Sequence, residues 1–458
     1  MVVTCRVLNS LLVAVALLLV ANAPEARAAD AVAVGWDSAP DILAAIEEPT
    51  FPDNDFVITD DAYEGGAEPG GETDCLPAIK AAIKACNAAG GGRVVIPAGE
   101  WFVKGPIHLL SNVNLHAEAG AKVQFSNEPN DFLPPVLTRF EGTEVYTYSP
   151  PLYALDQENI AITGGGVFDG GADDDHWWTW KRERGDINKL REQAESNVAP
   201  EKRVFGEGNT LRVNFVQPYR CHKVLLEGYT LNRSPMWCQN PVLCTSVTVR
   251  GVTVESHGPN NDGCNPEACD GVLIEDCVFD TGDDCIAIKS GRNADGRRIG
   301  TPSKNIVVRN CTMRDGHGGV VLGSEMSGGI ENVFVEDCYM SSPNLERAIR
   351  LKSNSMRGGY LRNMHVRNVE VGEVSDAVFR INLVYDQPET GPHVPHVSNV
   401  TLENVTSKKS KRALHLVGLP DAPITGLTLR NCTFAGAKQP SLIEHVEDLS
   451  LENFSMPK

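Results

Sequence analysis

Residues 246–254 read SVTVRGVTV, 271–279 read GVLIEDCVF, 305–313 read NIVVRNCTM and 332–340 read NVFVEDCYM. The same nine-residue form stands earlier as KVLLEGYTL at 223. It continues as NMHVRNVEV at 363, NVTLENVTS at 399, GLTLRNCTF at 426 and DLSLENFSM at 448, with NIAITGGGV at 159 as an earlier member. From 223 onward, successive starts fall 22 to 36 residues apart. The shorter spacings suit one coil of a β-solenoid; the longer ones suit the same coil with loops inserted. Positions two and four of each window are almost all Val, Ile, Leu or Met, the period-two mark of a strand with one face turned inward. Position six is Gly228, Gly251, Asp276, Asn310, Asp337, Asn368, Asn404, Asn431 and Asn453. These residue types tolerate a left-handed turn, so a ladder of Asn and Asp is expected at one corner of every coil.

Position seven alternates between cysteine (Cys277, Cys311, Cys338, Cys432) and Val, Tyr or Phe. Cysteines that share a column with apolar residues read as small buried hydrophobes, not metal ligands. The chain has 13 cysteines, so disulfides between neighbouring coils stay open, as do local bridges Cys264–Cys269 and Cys238–Cys244. Ahead of the repeat, TDCLPAIKAAIKACNAAGGG places Leu76, Ile79, Ile83 and Cys86 at helical spacing. Thr73 or Asp74 is the N-cap and Gly90 the stop. A short amphipathic helix there would cover the apolar end and unpaired edge of the first coil. The fold class is therefore all-β: a parallel β-helix with a short N-terminal helical cap, the cap and first coils spanning about residues 50–110.

The first 28 residues carry an early Arg6, an apolar stretch from Leu11 to Val20 and the small-residue site Ala26-Arg27-Ala28. That order resembles a bacterial secretory signal peptide, and the apolar run is too short for a membrane span. Residues 29–458 are then one domain, secreted or periplasmic, with no later span. The net charge of −19 argues against nucleic acid and anionic membranes as partners. It leaves room for an acidic small-molecule or polysaccharide substrate held by a local basic pocket. A solenoid needs no partner chain for stability, so a monomer is expected.

Equal offsets within the repeat stack on one face. Asp283 lies twelve residues after the start at 271, and His317 twelve after the start at 305, so the two should sit on adjacent coils. Asp262 lies 21 residues before Asp283, close to one coil. Asp262, Asp283, Asp284 and His317 are thus expected in one patch. The glycines flanking His317 leave room for a ligand. Further along, Arg350 and Lys352 alternate onto one face of a strand, and Tyr385 follows on the next coil. Singly, each has a bland alternative: an Asp at a turn (the reading for Asp276 and Asp337), a surface histidine, a solvated strand face. Together, an acidic cluster, a histidine and a cationic pair on one face point to a polyanionic sugar.

The segments NND at 260–262, GDD at 282–284, GHG at 316–318 and IRLK at 349–352 resemble, in order, the four signatures of the polygalacturonases, the family 28 glycoside hydrolases. The resemblance covers nearly the whole chain beyond the leader. It departs at Leu351, usually Ile, at Asn265, where many members have Asp, and at Asn240, often His in bacterial relatives. It implies a right-handed, single-stranded β-helix that hydrolyses α-1,4-galacturonosidic bonds of plant cell-wall galacturonan with inversion and without a cofactor or metal. Asp283 would be the general acid, kept protonated by the crowding of carboxylates. Asp262 and Asp284 would hold and deprotonate the water, and His317 would tune the acid. Arg350 and Lys352 would grip a galacturonate carboxylate, and Tyr385 would stack on a sugar ring.

Rhamnogalacturonan or xylogalacturonan are alternative substrates. A calcium-dependent pectate lyase would use the aspartates as ligands, and a non-catalytic carbohydrate-binding solenoid would use the groove alone. Both give weaker reasons for three carboxylates beside a histidine. The insertion at 170–197, with Trp177, Trp178 and Trp180, is expected to wall off the cleft and favour exo cleavage; otherwise its aromatics simply pack on the solenoid.

Overall fold

The computed structural model describes residues 34–386 and 391–456; the leader assigned to residues 1–28 lies outside them. Val34–Lys458 forms one compact unit. The chain winds as a right-handed parallel β-helix, and each coil contributes up to three strands. One coil is Asp270–Glu275, Val278–Thr281 and Ile286–Ile288. The next is Ser303–Arg309, Thr312–Met313 and Val320–Gly323. They stack in parallel register, Val272 on Ile306, Val278 on Thr312 and Ile286 on Val320. The inward positions Val272, Ile274, Ile306, Val308, Val333 and Val335 are fully buried and form one continuous core.

The Asn/Asp column behaves as its chemistry requires. Asp276, Asn310, Asp337, Asn368, Asn404, Asn431 and Asn453 all have φ between 48° and 56°. Their side chains bond along the axis: the Asn368 amide donates to Asp337 at 3.1 Å and the Asn404 amide to Asn368 at 3.1 Å. A second left-handed column stands at the first position of the same windows. Asn305, Asn332, Asn363 and Asn399 have φ of 53° to 57°, and their amides bond from coil to coil at 2.7–3.0 Å. The strands of the windows at 305, 332, 363 and 399 are thus bracketed by left-handed Asn or Asp at both ends. The position-six ladder is exposed to solvent, and the first-column ladder is partly buried.

The cap helix is Leu76–Ala88. Leu76, Ile79, Ile83 and Cys86 are buried, and Asp74 accepts the Leu76 N–H at 2.9 Å. A shorter helix, Ala39–Ala45, was not legible in the repeat pattern. The segment around it covers Leu273, Val307 and Phe334 on the outer wall. The twelve cysteines from Cys75 to Cys432 are buried free thiols, so neither local bridge that the sequence left open is formed. Cys244 lies in a column with Cys221, whose backbone N–H meets its sulfur at 3.4 Å, while its own thiol faces the Pro218 carbonyl. Stacking across coils therefore turns Cys244 away from Cys238. Among the described residues, no helix is long and apolar enough to cross a membrane.

Candidate active site

The site lies along a six-stranded parallel sheet and the segments that flank its strands. Its first three strands are Ile286–Ile288, Val320–Gly323 and Arg347–Lys352. His317 and Asp283 are held on adjacent coils by register, and the His317 N–H donates to the Asp283 carbonyl at 3.0 Å. Their side chains meet as well, Nδ1 of His317 lying 3.0 Å from Oδ1 of Asp283. Asp262 arrives one coil earlier, where the Gly263 N–H donates to the Asp284 carbonyl at 3.0 Å. One carboxylate oxygen from each of Asp262, Asp283 and Asp284 falls within 4.8 Å of the others. The four residues singled out for the patch do converge.

The glycines beside His317 serve a different purpose from the one expected. A Cβ on Gly316 would stand 2.7 Å from the Asp283 carbonyl, and one on Gly318 2.4 Å from Val321 and 3.3 Å from Asp284. They let two coils close on each other, which brings His317 against Asp283; the space they leave is already filled by protein.

Arg350 and Lys352 point to the same cluster, but they are not free. Arg350 is 3.3 Å and Lys352 2.6 Å from the two oxygens of Asp284, and all three side chains are nearly buried. Tyr385 lies against them, its ring 5.4 Å from the Arg350 guanidinium and 5.3 Å from the Lys352 ammonium. Burial pushes its phenol up to about 12.

The remaining parts of the site carry weak sequence signals. Lys289, buried at the end of the IAIK run, is 3.5 Å from Asp262 and 3.2 Å from Glu325, with its ammonium 4.5 Å from the Trp237 ring centroid. A lysine on a fully buried strand was the one available clue. Glu325 also draws Arg292 and Arg357, while Arg191 pairs with Glu141 and Arg347 with Asp376. Asn265, at a family-variable position, donates to Asp262 at 2.9 Å. Asn240 is fully buried, bonded to Asn214, Gln217 and the Asn265 carbonyl, and it contacts the interior, not the cleft.

The electrostatics place the proton elsewhere than expected. Burial, then the neighbouring Asp283 charge, raise Asp262 to about 8. Asp283 is partly buried, which opposes ionisation, yet the His317 hydrogen bond and the Lys352 charge hold it well below the usual carboxylate range. His317 is raised by the same bond. Like charges this close cannot all ionise freely, so the cluster retains a proton, and burial together with the Asp283 charge favours Asp262 as its holder. Crowding acts as anticipated, but the histidine bond moves its effect from Asp283 to its neighbour.

The insertion does approach the cleft, though not with its tryptophans. Trp177 is buried against Phe132, Tyr148 and Trp180. Trp178 donates to the Ser234 carbonyl at 2.9 Å and fills the space that a side chain on Gly258 would need. The aromatics pack on the solenoid, and Lys181, Arg184 and Arg191 are the residues of this segment that line the cleft. The cleft has a volume of about 580 Å³ and a polar lining.

A carboxylate cluster holding one proton, set in a cationic cleft on a parallel β-helix, has the parts of a glycoside-hydrolysing site. The chain belongs to the glycosyl hydrolases family 28, whose model matches residues 137–452. It is 44% identical to a hyperthermoactive exopolygalacturonase from Thermotoga maritima of known crystal structure, over 92% of this chain and 95% of that one, with a TM-score of 0.88. It is 27% identical to a probable polygalacturonase of Vitis vinifera, over 76% of this chain and 67% of the relative. An exo-poly-alpha-D-galacturonosidase of Dickeya chrysanthemi is 25% identical, over 85% and 69%.

Proposed function

We propose that this protein is an exo-acting polygalacturonase that hydrolyses α-1,4-galacturonosidic bonds of galacturonan with inversion. The observation that carries it is the Asp262–Asp283–Asp284 cluster with His317, set beside Arg350 and Lys352. Asp283 is the most accessible of the three carboxylates and acts as general acid toward the leaving oxygen. The proton resting on Asp262 passes to Asp283 when an anionic sugar enters, because the substrate's negative charge offsets the cations that hold Asp283 low. Asp262, then ionised, and Asp284 position and deprotonate the water. His317 orients Asp283 through its 3.0 Å bond. Arg350 and Lys352 fix Asp284 and present their remaining donors to a galacturonate carboxylate, supported by Tyr385.

The carboxylate spacing is closer than the roughly 6.5–9.5 Å usual for an inverting pair. Inversion is nevertheless preferred. Both oxygens of Asp284 are tied to cations, and Asp262 is nearly buried between Lys289 at 3.5 Å and the Asn265 amide at 2.9 Å, so neither is free to attack as a nucleophile. A calcium-lyase reading is disfavoured by the same contacts, since an ion among these aspartates would sit beside Lys289 and Lys352. Exo action is supported by the names of the Thermotoga and Dickeya relatives and by the insertion along the cleft. Removal of residues 1–28 and release of a single domain to the periplasm or exterior completes the reading.

The test is digestion of polygalacturonate with excess EDTA. Expected are reducing ends without unsaturated products, mono- or digalacturonate from the first time points, and a β-anomeric product by ¹H NMR before mutarotation. Asp283→Asn is expected to fold and lose roughly 10²–10⁴-fold in kcat. Unsaturated products abolished by EDTA would replace the hydrolase with a lyase.

A further inference from the structure

Galacturonan carries a carboxylate on every sugar, so cleavage places one on each side of the scissile bond. The cleft has cations for both, yet most are already neutralised. Arg191, Lys289, Arg292, Arg347, Arg350, Lys352 and Arg357 are each ion-paired within the protein. Among the described residues, Lys181 and Arg184 are the two cleft-lining cations whose side chains have neither an ion pair nor a hydrogen bond. They differ from ordinary surface cations because their backbone is fixed on both sides. Before them, Trp178 is bonded to Ser234 and seated over Gly258. After them, the helix Gly185–Glu195 buries Ile187, Leu190 and Ala194, and Asp186 accepts the Thr210 N–H at 2.8 Å. Lys181 is also half-buried, and it lies in the field of Asp283, Asp262 and Glu141 while paired with none of them. A half-buried ammonium left unpaired costs stability that a merely structural lysine would recover by pairing.

We propose that Lys181 and Arg184 form a second carboxylate clamp, holding the galacturonate across the scissile bond from the sugar bound at Arg350, Lys352 and Tyr385. This rests on the polygalacturonase reading and deepens it. The insertion wall selects a free uronate at that position and disfavours a methyl ester, since an ester offers no charge to the two cations. Lys181 and Arg184 are therefore specificity determinants, not catalytic residues.

The experiment compares trigalacturonate with its fully methyl-esterified form as substrates for the wild type, Lys181→Met, Arg184→Met, the double variant and Lys181→Arg. Neither side chain has a protein partner, so no variant should melt below the wild type, and the variants that remove the half-buried Lys181 charge should melt at or slightly above it. The double variant should lose roughly ten- to a hundredfold in kcat/KM on the free acid, mostly through KM, as expected for a lost charge-assisted contact. Its free-acid to ester preference should fall by a similar factor, and Lys181→Arg should restore most of it. An active wild type with an unchanged preference in the double variant overturns the clamp alone. A wild type that releases no reducing ends from the free acid overturns the polygalacturonase reading, and the clamp with it.

Discussion

The resting proton on Asp262 has a consequence for stability. Replacing Asp262 with Asn keeps the shape of the protonated acid and removes its ionisation. The carboxyl is nearly buried, its Oδ2 faces the Asn265 amide at 2.9 Å, and its acidity is shifted from the ordinary value of 3.8 to about 8. A carboxyl whose folded pKa is raised stabilises the fold fully below its unfolded pKa, and that contribution disappears as pH rises through the folded value. The window here is about pH 4 to 8. Across it, wild type should lose stability relative to Asp262→Asn by about 1.4 kcal/mol per pH unit, up to about 6 kcal/mol in all. Coupling to Asp283 spreads the step without reversing its sign. Denaturant unfolding at pH 5, 7 and 9 reads this directly. The variant's gain over wild type should be small at pH 5, already larger at pH 7 and several kcal/mol by pH 9. A difference that stays constant with pH, or a variant that weakens as pH rises, would refute the placement of the proton.

Lys352→Met should destabilise by about 3 kcal/mol, because it leaves the buried Asp284 with Arg350 alone at 3.3 Å; a loss under 1 kcal/mol by denaturant unfolding would show that solvent reaches this carboxylate. Gly318→Ala sets a methyl 2.4 Å from Val321 and 3.3 Å from Asp284. It should cost about 1–3 kcal/mol by denaturant unfolding and lower kcat by roughly 10²-fold through a shifted Asp284; unaltered kcat would mean that the coil yields elsewhere. The twelve cysteines should resist thiol reagents in the folded protein and all react once it is unfolded, while reductant leaves the melting temperature unchanged; a fall on reduction would reveal a bridge.

Much of this protein was legible in its sequence because a solenoid makes sequence spacing into distance. Val, Ile and Leu at positions two and four can only face inward, and Asn or Asp at position six marks the left-handed corner, so coil, register and the stacking of Asp283 beside His317 follow from counting. The second Asn ladder was equally present in the first column of the windows, at Asn305, Asn332, Asn363 and Asn399. What counting could not supply is whatever joins residues outside the repeat. Lys289 and Glu325 meet across two coils, the helix Gly185–Glu195 folds back onto the cleft, and Arg350 and Lys352 turn to Asp284. The location of the proton also depends on these contacts: a 3.0 Å bond from His317 and near-complete burial of Asp262 decide it. Periodic packing is local and additive, and therefore readable from the chain. Charge placement in a buried cluster depends on distances among residues from several coils, which only the folded structure brings together.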